Sequence, residues 1–116
     1  MQKKQPDFRP AGGKRKILIV EDEYINRELL KAMLTDTYEI VCAATGKEAL
    51  DILAAQFDLL SMILLDLNLP DITGLDVLRK VKQTPEYAGL PVIVMTADSE
   101  AEVECLTLGA DRKSVV

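Results

Sequence analysis

Three carboxylates stand directly after runs of apolar residues. Glu21 and Asp22 follow Ile17-Leu18-Ile19-Val20, and Asp66 follows Met62-Ile63-Leu64-Leu65. Runs that are apolar on both faces suit strands of a parallel sheet covered by helices on both sides. In open sheets of this kind, ligands bind beyond the carboxyl ends of the strands, where strand order reverses. If the first and third strands are neighbours there, the three carboxylates converge. At a separation of about 5 Å and an effective dielectric of about 20, each pair repels by roughly 3 kcal/mol. Such a cluster requires protonation or a bound cation. Oxygen-only ligands suit Mg2+, which keeps several waters and accepts phosphate oxygens. Any one of these acids alone reads as a turn former or helix cap; the three together read as a site. Thr96 follows a third apolar run, Val92 to Met95, so its hydroxyl is expected at the same rim.

The elements that must position these residues alternate. Tyr38 to Ala43 is a more mixed run, as an edge strand would be. Between the apolar runs lie helical stripes: Ile25, Leu29, Met33 and Leu34; then Ala49, Leu50, Leu53, Ala54 and Phe57; then Leu75, Leu78 and Val81; then Val103 and Leu106. Three helices open on a capping signature. Thr45 precedes Glu48 by three residues, Ser99 precedes Glu102, and Thr73 precedes Asp76. Gly109 is placed as a helix stop. The order βαβαβαβα argues for an α/β sheet with right-handed crossovers. Residues 1–15, with Pro6, Pro10, Gly12 and Gly13 among charges, read as a flexible basic lead-in, and residues 16–116 as the folded domain.

Composition narrows the chemistry further. The chain has 116 residues and no histidine, which excludes histidine-based zinc sites and Ser-His-Asp hydrolysis on this chain. It has no tryptophan, 3 tyrosines and 2 phenylalanines, too few for a base-stacking platform. Residues 17–116 carry 8 basic and 18 acidic side chains, a net −10, and would repel DNA and anionic lipid. Direct nucleic-acid binding and membrane attachment are therefore not expected. Cys42 and Cys105 are far apart in sequence and read as small reduced hydrophobes of a cytoplasmic protein.

At these positions the chain resembles the receiver domain of two-component response regulators. The stretch from Ile17 through Glu21-Asp22 to Asn26-Arg27 looks like the opening of that family. Leu64-Leu65-Asp66-Leu67-Asn68-Leu69-Pro70 with Gly74 resembles its phosphoacceptor segment. Val92 to Thr96-Ala97 resembles its switch segment, and Gly109-Ala110-Asp111 the lead into its fifth strand. The likeness implies a doubly wound parallel sheet of order 2-1-3-4-5 with helices on both faces. It implies a phosphoacceptor signalling domain rather than an enzyme acting on an external substrate. Asp66 would take a phosphoryl group from a sensor histidine kinase or phosphotransfer protein. Glu21, Asp22, Asp66 and the Asn68 backbone carbonyl would hold Mg2+, and no organic cofactor is implied. The Thr96 hydroxyl and the Ala97 backbone N–H would bond the phosphoryl oxygens and drive the conformational switch.

The chain also departs from that pattern. A Lys-Pro pair normally ends strand 5; here Val116 stands near the position of the lysine and Lys113 near that of the switch aromatic. Strand 5 is expected to be incomplete and helix 5 absent, as in a truncated receiver. Uncovered apolar faces would then favour a homodimer. A non-phosphorylated pseudo-receiver acting as an interaction module is the alternative. A haloacid dehalogenase-type phosphatase would need an acid where Asn68 stands, and a flavin binder would meet repulsion from Glu21-Asp22-Glu23.

Overall fold

The β-branched and leucine-rich runs form the strands of one parallel sheet, and the stretches with helical spacing pack on its two sides. In the computed structural model, residues 15–95 and the backbone of residues 112–114 are described. The elements are β1 (Arg15–Val20), α1 (Tyr24–Leu34), β2 (Tyr38–Ala43), α2 (Gly46–Gln56), a 3-10 turn (Phe57–Leu59), β3 (Leu60–Asp66), α3 (Gly74–Gln83), β4 (Val92–Met95) and β5 (Arg112–Ser114). All strand pairs are parallel and the order is β2-β1-β3-β4-β5. The expected order and the edge position of β2 are both found. β1 begins at Arg15, the last residue of the stretch read as lead-in. β5 is described over three residues. The proposed fourth helix, with its Ser99–Glu102 cap and Gly109 stop, lies outside the described residues.

The two faces of the sheet are covered differently. Leu18, Val20, Ala43, Ile63, Leu65, Val92 and Val94 join Ala49 and Leu53 of α2 and Val77, Leu78 and Val81 of α3 in one buried cluster. Full burial of a Leu or Ile contributes about 1.5–3 kcal/mol, so this layer carries most of the fold. On the opposite face Ile17 and Ile19 are fully buried, but their neighbours Ile40, Cys42, Met62, Leu64 and Ile93 are only half-buried.

Helix α1 corrects one expectation. The stripe Ile25, Leu29 and Met33 stands exposed, and α1 has no buried residue. The half-buried side carries Arg27, Leu30, Lys31 and Leu34, spaced at i, i+3, i+4 and i+7. The helix therefore has two apolar rows, and the sheet takes the shorter one. Leu34, counted in the expected stripe, is the member that packs.

The helix starts follow the sequence signals. Thr45 Oγ1 accepts the Glu48 N–H at 3.0 Å, and Thr73 Oγ1 accepts the Asp76 N–H at 3.1 Å. Glu48 reaches back one residue further than in the usual capping box, to the Ala44 N–H at 2.6 Å. Among the described residues no helix is long and apolar enough to cross a membrane.

Candidate functional site

The strand register brings the acids together. Val20 of β1 pairs with Leu65 of β3, so Glu21 and Asp66 emerge from adjacent strands at one level. The Glu21 N–H donates to the Ala43 carbonyl at 2.9 Å, which extends the β1–β2 ladder one step and fixes the Glu21 backbone. Carboxylate oxygens of Glu21, Asp22 and Asp66 then lie within 4.8 Å of one another. Glu21 is buried, Asp66 half-buried and Asp22 exposed.

Among the described residues, two backbone amides donate to this cluster. Glu21 accepts the Glu23 N–H at 3.2 Å, and Asp66 Oδ1 accepts the Asn68 N–H at 3.1 Å. Burial pushes the Glu21 carboxyl up to about 7, and the adjoining Asp66 and Asp22 carboxylates push the same way, against the Glu23 N–H. The ion pairs Lys16–Glu39, Lys31–Glu28, Lys47–Asp51 and Arg79–Asp76 lie elsewhere and use none of the three acids. A cluster of carboxylate oxygens held close, with one member reluctant to ionise, matches the donor set of a hard divalent cation. The residues present fit Mg2+.

The other expected site residues divide. Asn68 is placed beside Asp66 through its backbone N–H. Met95, the last residue of β4, pairs with Asp66. Thr96 and Ala97, which follow it in the chain, lie outside the described residues, as does Asp98. On the far side of β4, Lys113 is level with Val94 and Ser114 with Met95.

Three residues support the site; Arg27 and Gly74 stand in the motifs named above without a stated structural role, and Asp71 was not named. Arg27 Nη1 donates to the main-chain carbonyls of Glu21 at 2.9 Å and Asp22 at 3.2 Å, and its guanidinium lies 5.7 Å from the Tyr24 ring centroid. It clamps the β1–α1 loop by its backbone and leaves the carboxylates free. Its signal was a cation one helical turn into α1, which sequence spacing alone does not distinguish from a solvated arginine. Gly74 closes the loop after Asp66: its N–H donates to the Leu67 carbonyl at 3.0 Å, and a Cβ there would lie 2.5 Å from the Asp66 carbonyl oxygen. That close approach requires glycine. Asp71 accepts the Gly46 and Lys47 N–H groups of α2 at 2.8 and 2.9 Å. These bonds hold its carboxyl below the usual carboxylate range.

Comparison with known proteins identifies the family and supports the fold. The family model for the response regulator receiver domain matches residues 17–113. The chain is 32% identical over 98 residues to the two-component response regulator ORR7 of Oryza sativa subsp. japonica, covering 82% of this chain and 46% of that protein. The chain thus spans about half the length of that relative. Among solved structures it resembles a phosphorylated cyanobacterial phytochrome response regulator, RcpA, with a TM-score of 0.81, 28% identity, and 88% and 80% of the two chains covered. It also resembles the Mn(2+)-bound form of the response regulator Rcp1, with a TM-score of 0.79, 28% identity, and coverage of 87% and 80%.

Proposed function

Because the chain belongs to the response regulator receiver domain family, we propose that it is a phosphoacceptor whose nucleophile is Asp66. The observation that carries this reading is the convergence of Glu21, Asp22 and Asp66 at the carboxyl ends of two adjacent strands. The donor is a phosphohistidine of a sensor histidine kinase or phosphotransfer protein. An Asp66 carboxylate oxygen attacks phosphorus, an O–P bond forms, the N–P bond breaks, and its electron pair leaves with the imidazole nitrogen. Hydrolysis of the acyl phosphate returns the carboxylate and releases phosphate.

Glu21, Asp22, Asp66 and the Asn68 carbonyl would hold Mg2+. When bound, the ion offsets the negative charge gathered on the phosphoryl oxygens, the main requirement of phosphoryl transfer. The chain's own part is placement. The β1–β3 pairing fixes Glu21 beside Asp66, the Asn68 N–H orients Asp66 through Oδ1, and the Arg27 clamp holds the loop bearing Asp22. Thr96 and Ala97 are assigned the hydroxyl and N–H that bond the phosphoryl oxygens, supported by their position in the chain directly after Met95, the partner of Asp66. The setting is cytoplasmic, and the acidic domain does not itself bind nucleic acid.

The test is labelling with acetyl phosphate in Mg2+, read by intact mass, beside Asp66→Asn. Gain of one phosphoryl group in the native chain and none in the variant is the expected result. Equal labelling of both would move the acceptor elsewhere. Neither labelling nor Mg2+ binding would replace this reading with the non-phosphorylated interaction module.

A further inference from the structure

We infer that Asp71 is a positioning residue: its carboxylate ties the loop after Asp66 to the first turn of α2 and so fixes where Asn68 stands beside Asp66. The inference rests on the phosphoacceptor reading above. The Asp71 oxygens are divided between two amides, Oδ1 taking the Gly46 N–H at 2.8 Å and Oδ2 the Lys47 N–H at 2.9 Å. These are the first two amides of α2, which have no partner within the helix. The helix's own cap serves the next two, because Thr45 Oγ1 takes the Glu48 N–H and the Thr45 carbonyl takes the Ala49 N–H. The cap is thus completed from another part of the chain, with a negative charge at the positive end of the helix dipole.

The same loop is held at two more points. The Gly74 N–H closes it onto the Leu67 carbonyl at 3.0 Å. Ile72 lies so close to Gly46 that a Cβ on Gly46 would collide with its Cγ1. Asn68 sits inside the segment these contacts bound, and its N–H is on Asp66 Oδ1 at 3.1 Å. Freed from α2, the loop would sample more positions, and Asn68 would spend less time where its carbonyl completes the metal's oxygen set. Partners that orient metal ligands from outside the ligand set act in this way. A carboxylate that only capped α2 would stabilise the helix and leave the metal site unchanged.

The experiment compares the native chain with Asp71→Ala, Asp71→Asn and Thr45→Ala. Mg2+ affinity is measured by calorimetry, and hydrogen exchange of the Gly74 amide is measured in metal-free protein. Asp71→Ala is expected to weaken Mg2+ binding about tenfold and to speed Gly74 exchange. Asp71→Asn, which keeps one acceptor, should fall between. Thr45→Ala weakens the same helix end without touching the loop, so it should lower Tm yet hold Mg2+ affinity within about twofold. Native-like Mg2+ affinity in Asp71→Ala overturns the inference, as does an equal loss in Thr45→Ala. If Asp71→Ala does not fold, Asp71→Asn against Thr45→Ala decides by the same criteria. A native chain that binds no Mg2+ contradicts the phosphoacceptor reading instead. In that event unchanged Gly74 exchange in the Asp71 variants would overturn the tether by itself.

Discussion

Glu21 and Asp71 are both carboxylates in loops that follow strands, and their surroundings drive them in opposite directions. Glu21 is buried, accepts one backbone N–H, and faces two further acids, so its proton is held up to about pH 7. Asp71 is exposed and accepts two amides of α2, one on each oxygen, so its proton leaves early. The difference separates two uses of negative charge. At Asp71 the fold supplies the donors and gains an anchor. At Glu21 the described residues supply a single backbone N–H beside two further acids, an arrangement that an external cation can relieve.

The largest test of that contrast is the pH dependence of the metal-free protein. Between pH 4.5 and about 7 the folded chain holds a Glu21 proton that the unfolded chain has lost. Stability is then fully present below about 4.5 and falls as pH rises through about 7, by roughly 3 kcal/mol in all. Urea unfolding in a chelator should trace this decline, and Glu21→Gln should flatten it. The same slope in the variant would mean that another group titrates there. Next in size is the cation itself. Mg2+ at about 100 times its Kd should stabilise the native chain by about 2.7 kcal/mol, and most of that gain should vanish in Asp66→Asn. The apparent affinity should be higher at pH 8 than at pH 6, because Glu21 must lose its proton to act as a ligand.

Asp71 should give a smaller effect of opposite sign. Its lowered carboxyl contributes stability that is present above the unfolded value near 3.8 and is lost as pH falls through the lower folded value. Solvent screens an exposed group, so this acid limb should be shallower than the Glu21 limb. Acid unfolding of Asp71→Asn followed by circular dichroism checks it. The variant should start with less stability near neutral pH and lose less of it below pH 4. An acid limb as deep as the native one would place the titrating carboxylate elsewhere.

The strands and the acidic triad were legible because both rest on local rules. Four-residue apolar runs have few alternatives to a covered parallel strand, and an acid directly after such a run must lie at the rim. The caps at Thr45 and Thr73 were legible for the same reason, since a threonine three residues ahead of an acid closes its bond within one turn. Asp71 was not legible as an anchor. Its partners lie 25 and 24 residues away, and from the sequence it is one more acid after a proline. Arg27 was hidden differently, because it binds main-chain carbonyls, which every residue carries.

Helix α1 shows the same ambiguity in apolar form, and it gives the smallest predicted effect. Leu29 and Leu34 lie in one helix and share one side chain type, yet Leu29 is 56% exposed and Leu34 is half-buried. Hydrophobic spacing cannot choose between the rows, because both have helical periodicity; the position of the sheet chooses. Leu34→Ala should cost about 1 kcal/mol, below the range for a fully buried leucine because its burial is partial. Leu29→Ser should shift stability by less than about 0.5 kcal/mol. Leu29 stands with Ile25 and Met33 in an exposed row, so the loss of its side chain removes little packing. Equal losses of stability in the two variants would mean that Leu29 is covered in solution.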